Sequence, residues 1–283
     1  FAEPLSNVVH GIAKTPIKKG DVVGVMGIGP IGLMFALLAK LKGAKVIAMG
    51  RNPLKLKLAK EFARADVVID ITKFEDPTEI ILSHTTEGRG LDVAIECVGL
   101  PQMWEKMFSL VRKGGYVHFF GGCASGSSVN LDTRRLHYDE VKIISSFHHT
   151  PKYFREALNL IANGEIEVDK LITKRMDMKY AKRAIEMHRD GEAIKILLEN
   201  YDTTRELFLL ISKKLDNIAE LKYLNYSDSF EMLSVRATSQ INKAVEANDF
   251  GSLYLELANV LGLLSIIKVP FYKDNYMVQF NKK

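Results

Sequence analysis

The sequence predicts an α/β protein, a doubly wound parallel sheet followed by a C-terminal helical appendage, on three observations. Short β-branched runs alternate with helix-like segments from residue 22 to about residue 120, the pattern of a parallel sheet covered on both faces. A knot of glycines, "GIGPIG", separates the first run from the first helical segment. Beyond residue 200 the glycine-punctuated runs give way to helical spacing, with Leu253, Leu257, Val260, Leu261 and Leu264 on one stripe.

In chain order, strands are expected over residues 22–27, 45–49, 67–69, 91–95 and 116–120, with a further one over 141–145. The segments between them, 31–41, 53–62, 74–83 and 102–111, can each turn an apolar stripe toward a sheet. A helix over 153–162, the short run "KLITKRMDM", a helix over 180–188 and a terminal strand in "AIKILLEN" come next. We place a domain boundary at 200–204, with a dinucleotide-binding domain over 1–200 and a mainly helical appendage of unknown role over 204–283. A sheet of this kind connects right-handed and binds ligands at the carboxyl ends of its strands.

The 283 residues are 47% hydrophobic and 26% charged, enough to bury a sizeable core. No stretch reaches the roughly 18 uninterrupted apolar residues of a membrane-spanning helix, so no membrane partner is expected. The net charge of +5 comes from scattered Lys and Arg without a basic stripe or stacking aromatics, which argues against nucleic acid. Cys97 and Cys123 form neither a CxxC pair nor a disulfide framework, so a reducing, cytoplasmic setting is expected. A chain that starts at Phe1 rather than Met is expected to be a fragment.

The segment Gly27-Ile28-Gly29-Pro30-Ile31-Gly32 fits G-x-G-x-x-G between a strand and a helix, the context that a Rossmann-type dinucleotide fingerprint requires. Gly27 allows the tight turn, Gly29 lets the backbone approach a pyrophosphate, and Gly32 lets helix and strand pack closely. Amides at the helix start then face negative charge, and Pro30, which donates no N–H, is tolerated there. The second strand ends in Gly50, Arg51 and Asn52, where an acid normally accepts the ribose hydroxyls. A carboxylate repels a 2′-phosphate and a guanidinium binds it in bidentate fashion, so Arg51 points to NADP, with NAD as the alternative.

The stretches "FAEPLSNVVHGI", "KKGDVVGVMGIGPIGL", "GRGLDVAIECVG", "LVRKGGYVHFFGG", "LHYDEVKIISSFHHTP" and "FREALNLIANGEI…KLIT" resemble, in order and spacing, the cofactor-binding half of zinc-type medium-chain alcohol dehydrogenases. The polyol (sorbitol-like) and threonine dehydrogenase branches are the nearest in pattern. The resemblance spans residues 1–200. It implies that Cys97, Val98 and Gly99 end a strand beside the cofactor and that Phe120, Gly121 and Gly122 approach the nicotinamide. It also implies that Glu3, in "EPL", edges the catalytic zinc, whose other ligands the family draws from a preceding domain. Cys97 reads as a zinc ligand or, on the blander view, a small packed hydrophobe. His148 and His149 read as metal ligands or as residues with a loop or capping role. One departure is "EFARADVVID", where the family pattern has Gly-Ala-Asp, so a left-handed helix cap would lack its glycine.

The expected activity is hydride transfer between a nicotinamide cofactor and a secondary alcohol or polyol. The alternatives are a non-catalytic nucleotide-binding module with a partner-binding helical tail, and a zinc-independent quinone reductase, which "EPL" and "HHTP" disfavour. No catalytic residue is assigned. The expected partners are the small-molecule alcohol or polyol and, as an open alternative, a second copy of the chain in a homo-oligomer.

Overall fold

The computed structural model describes residues 1–199 together with Ser239 and Lys243, both helical. The remainder of the appendage expected over 204–283 lies outside the described residues. The chain divides into a unit of Phe1–Leu198 and a unit of Glu199–Lys283. The first unit holds the sheet and its helices.

Helix α1 (Ala2–Lys14) leads into strand β1 (Val22–Met26), α2 (Pro30–Leu41), β2 (Lys45–Gly50), α3 (Pro53–Glu61) and β3 (Val67–Asp70). Next come α4 (Thr78–Ser83), β4 (Leu91–Glu96), α5 (Pro101–Leu110), β5 (Val111–Phe119), α6 (Thr133–Tyr138) and β6 (Lys142–Ser145). Helix α7 (Pro151–Ala162), β7 (Ile172–Asp177), α8 (Ala181–Arg189) and β8 (Lys195–Glu199) complete the described elements. The sheet order is β3-β2-β1-β4-β5-β6, and every neighbouring pair in it is parallel. The order reverses between β1 and β4, which opens a crevice at their carboxyl ends. Strands β7 and β8 form a separate two-stranded sheet.

Period-two alternation sends the strand side chains into two cores. Val23, Val25, Val46, Ala48, Val93 and Ile95 pack with α1, α2 and α3 on one face. Val22, Met26, Ile47, Met49 and Ala94 pack with Ile81 of α4 and Met107 and Phe108 of α5 on the other. Asp92, buried among them, accepts from the Val22 amide at 2.8 Å and from Arg112 Nε at 2.5 Å. The carboxylate therefore ties the start of β1 to β4 and has no free chemistry of its own.

Three sequence expectations change. The helix expected over 74–83 starts only at Thr78, because a residue that precedes Pro77 is pushed out of the helical region. The strand expected from residue 116 begins at Val111, before the Gly114–Gly115 pair, because Val111 already pairs with Leu91. Helices α1 and α6 stand beyond the elements expected from the sequence; α1 carries Leu5, Val8, Val9 and Ile12 as a buried stripe at helical spacing. In "EFARADVVID" the left-handed cap after α3 is present without glycine: Arg64 takes φ 54°, and the Ala65 amide reaches back to Ala59 O at 2.9 Å.

Candidate functional site: a cleft at the carboxyl edge of the sheet

Strand β1 ends in a turn whose three glycines do different things. Gly27 takes φ +90°, and a Cβ there would fall 2.7 Å from Val98 Cγ2. At Gly32 a Cβ would fall 2.1 Å from Gly27 O, so only glycine allows α2 to seat on the turn. At Gly29 nothing lies within 4 Å of the Cβ position, so that face of the backbone is open. The first intrahelical bond of α2 runs from the Leu33 amide to Gly29 O at 2.9 Å, which leaves the Ile31 and Gly32 amides ahead of it in the first turn. Pro30 stands at the first position of α2, and Ile31 packs sideways against the core.

A cleft of about 420 Å³ lies over this turn. Of the residues singled out in the sequence, Gly27, Gly29, Gly50, Arg51, Asn52, Cys97 and Val98 line it. Lys55, Ile71, Leu100, Gln102 and Met103 line it as well, without a sequence signal of their own. Gly50 is dictated by packing, since a Cβ there would fall 2.4 Å from Ile28 Cγ1. Arg51 follows at the exposed rim. Asn52 is spent on structure: its Oδ1 accepts from the Leu54 and Lys55 amides at 3.0 and 3.2 Å, capping α3, and its Nδ2 donates to Gly191 O. The cationic groups at this end of the cleft are thus Arg51 and, one helical turn on, the half-buried Lys55.

At the other end, the loops after β4 and β5 touch. A Cβ on Gly99 would fall 2.6 Å from Gly122 O, and one on Gly121 would fall 2.4 Å from the Gly99 nitrogen. Phe120 turns its ring inward, edge-on to Phe35 at 4.8 Å, and neither it nor Gly99, Gly121 or Gly122 is among the residues that line the cleft. Burial, and then the charge of Glu96, push the Cys97 thiol well above its ordinary range, which keeps it a protonated, hydrophobic group. Two neighbours of these loops are not among the residues that the sequence motifs single out. Glu96 is fully buried at the end of β4, and Trp104 Nε1 donates to Gly121 O at 2.9 Å. A charge inside the otherwise apolar "VAIEC" is the available signal.

Together these contacts give an open glycine backbone at the start of a helix, a cationic rim and an apolar floor, at the switch point of a parallel sheet. Residues 30–163 match the family of zinc-binding dehydrogenases. The chain is thus similar to the cofactor-binding half of zinc-binding dehydrogenases. It is 35% identical over 204 residues to a sorbitol dehydrogenase of Halalkalibacterium halodurans, covering 71% of this chain and 58% of that protein. To a D-arabitol-phosphate dehydrogenase of Enterococcus avium it is 32% identical over 203 residues, 71% of this chain and 56% of that one. Among solved structures, a zinc-binding dehydrogenase of Sinorhizobium meliloti bound to NADP superposes with a TM-score of 0.61 at 33% identity, over 65% of this chain and 54% of that chain. An alcohol dehydrogenase of Thermus sp. ATN1 gives a TM-score of 0.63 at 27% identity, over 69% and 56%. The chain therefore spans less than two thirds of the length of these relatives.

Glu3, in the first turn of α1, is exposed. Asn7 Nδ2 donates to its Oε1 at 2.8 Å, and His149 Nδ1 lies 3.9 Å from the same oxygen. His149 Nδ1 is 3.1 Å from Asn7 Oδ1, while His10 Nδ1 donates to the carbonyl of His148 at 2.7 Å. Both histidines of "HHTP" thus pin their loop to α1. Among the described residues no three of His, Cys, Asp and Glu converge on a point that could hold a metal. No described helix is long and apolar enough to cross a membrane.

Proposed function

We propose that this chain seats NADP(H) in the carboxyl-edge cleft and serves hydride transfer to or from a secondary alcohol or polyol in the complete protein. The observation that carries this reading is the open backbone face at Gly29, at the head of α2, with Arg51 and Lys55 on the rim beyond. The fit is chemical as well as spatial. A pyrophosphate needs close approach to backbone at a helix N-terminus, and a 2′-phosphate needs cations where an acid would otherwise stand. The relatives named for sorbitol and arabitol phosphate, and the superposed structure holding NADP, support the same substrate class and cofactor.

When bound, the nicotinamide supplies the hydride acceptor or donor. The residues of this chain bind and orient it. Gly29 admits the pyrophosphate, Ile31 and Gly32 offer first-turn amides, and Arg51 with Lys55 pairs with the 2′-phosphate. The loops around Cys97, Val98, Gly99, Phe120, Gly121 and Gly122 form the nicotinamide floor. Glu3 remains the proposed edge of a zinc site in the complete protein, but the described residues do not themselves fit a metal and no step is routed through one. The unpaired Cys97 and Cys123 fit a reducing cytoplasm, and the outer position of β6 in the sheet supports a homo-oligomer.

Calorimetric titration of the full chain tests the reading. NADPH is expected to bind about tenfold or more tightly than NADH, a difference of about 1.4 kcal/mol or more. Arg51→Asp is expected to reverse that order. Absence of binding by either nucleotide would refute the proposal, and equal affinities before and after mutation would refute the role of Arg51.

A further inference from the structure

The two loops at the nicotinamide end are fastened to a single residue. Glu96 Oε1 accepts from the Val98 amide at 2.6 Å and the Gly99 amide at 3.0 Å, and Oε2 lies 3.2 Å from the Gly99 nitrogen. The carbonyl of the same residue accepts from the Phe120 and Gly121 amides at 3.0 and 2.9 Å. Side chain and main chain of one glutamate therefore hold the loop after β4 and the loop after β5 together. Trp104 closes the arrangement from α5. Its indole lies flat on Phe119, with ring centroids 4.1 Å apart and an interplanar angle of 3°, and it donates to Gly121 O. Gly121 is thus gripped at its nitrogen by Glu96 and at its oxygen by Trp104.

This arrangement is costly in the absence of a purpose. A buried carboxylate is destabilising unless a cation or several donors compensate it, and Arg112, the guanidinium reaching into this strand, is committed to Asp92. Glu96 is held instead by backbone amides, and burial raises its carboxyl above the usual range. Two loops that needed only to pack could do so with an apolar residue at this position. What an apolar residue cannot do is fix the direction of the loop amides and the separation of two loops.

We propose that Glu96, backed by Trp104, is a positioning residue that sets the nicotinamide end of the cleft, aligning the Val98–Gly99 and Phe120–Gly121 backbones into one rigid edge. The proposal rests on the nucleotide reading of the cleft. Its functional weight follows from geometry, because hydride transfer requires reacting atoms roughly 3–3.5 Å apart and a displacement of about 1 Å costs on the order of a hundredfold in rate.

Glu96→Gln keeps the side-chain shape but leaves only a neutral, weaker acceptor for the Val98 and Gly99 amides and puts an N–H donor in place of Oε2, 3.2 Å from the Gly99 nitrogen. The full chain and this variant are titrated with NADPH and with 2′,5′-ADP, which carries the adenosine end alone. The NADPH dissociation constant is expected to rise about tenfold, while that for 2′,5′-ADP changes less than about twofold. Equal weakening of both ligands would mean general damage and would overturn the assignment, as would no weakening of either. Trp104→Phe keeps an aromatic ring against Phe119 and loses the N–H donor together with part of the stacked area. It is expected to show the same split with a smaller amplitude, and it carries the test if Glu96→Gln does not fold. A wild-type chain that binds neither ligand overturns the nucleotide reading on which the assignment rests.

Discussion

Where β2 meets α3 the cleft is edged by the exposed Arg51 and the half-buried Lys55, whereas at the end of β4 it is edged by Cys97 and Val98, in a loop fastened to the buried Glu96 and touching the loop after β5. The first end presents charge to solvent and commits little packing to it. The second presents backbone and commits a buried carboxylate, an indole and three glycines to its shape. Such a division lets the charged rim vary without disturbing the sheet, while the end at β4 and β5 varies only at the expense of the core. Substitutions at the rim should therefore change affinity and leave stability alone, and substitutions around β5 should change both.

The sharpest break in this comparison is expected from Gly29→Val. Gly29 has φ −69° and ψ −175°, extended backbone that valine adopts readily, and its Cβ direction is empty. The methyl groups would occupy the space proposed for the pyrophosphate. NADPH binding should weaken by at least about a hundredfold, with the thermal midpoint changed by no more than about 2–4 °C. Calorimetry and thermal unfolding on the same sample check both halves of the statement. Retained binding would remove the cofactor from this turn.

His118, on β5 beneath the second end, ties stability to pH. It is fully buried, with Nδ1 2.7 Å from Thr15 Oγ1 and Nε2 2.9 Å from Ser146 Oγ. The Thr15 hydroxyl also donates to Gly11 O, so the imidazole is satisfied as a neutral ring that donates through Nδ1. Burial, with smaller effects from Lys14 and His10, pushes its pKa down to about 4 from an ordinary 6.5. A depressed folded-state pKa means that the stabilisation is fully present above pH 6.5 and is lost as pH falls toward 4. The loss amounts to roughly 3 kcal/mol across that window. Glu96, whose pKa is raised, shifts stability in the opposite sense over its own titration. The informative quantity is therefore the difference in urea unfolding free energy between wild type and His118→Gln, measured from pH 7 to pH 4. That difference should shrink with acid, and a constant difference would mean that His118 does not titrate as its burial requires.

A smaller effect is expected far from both ends. Arg64 is exposed and holds the left-handed cap of α3 at φ 54°, a conformation that costs a side-chain-bearing residue about 1 kcal/mol relative to glycine. Arg64→Gly should raise the thermal midpoint by about 2–4 °C and leave NADPH affinity unchanged. A fall in the midpoint would show that the arginine side chain contributes more than its backbone costs.

The sheet is legible in the sequence because its strands are buried on both faces and bounded by glycine, and because "GIGPIG" stands between a strand and a helix. The backbone half of the site is legible for the same reason, since glycine at a strand exit has few other uses. Side chains that act across the fold are not. Lys55 reaches the cleft only because α3 starts at Pro53, capped by Asn52. Asn52 reads as a ligand group in sequence; it lines the cleft and also caps α3, a second role that the sequence motif does not announce. Glu96 and Trp104 are separated in the chain from the Gly121 that both hold, a relation set by the parallel register of β4 and β5. Helix α1 has the periodicity of a helix, but in "FAEPLSNVVHGI" the family motif overlies the stripe and hides it.

Hydrogen–deuterium exchange of the full chain with and without NADPH tests the two-ended seat most directly. Protection is expected in three separate places: the Gly27–Gly32 turn, the Arg51–Lys55 segment, and the Cys97–Gly99 and Phe120–Gly122 loops together. With 2′,5′-ADP in place of NADPH, protection should persist at the first two and disappear from the third. Protection confined to other segments, or none at saturating nucleotide, would contradict the placement of the cofactor in this cleft.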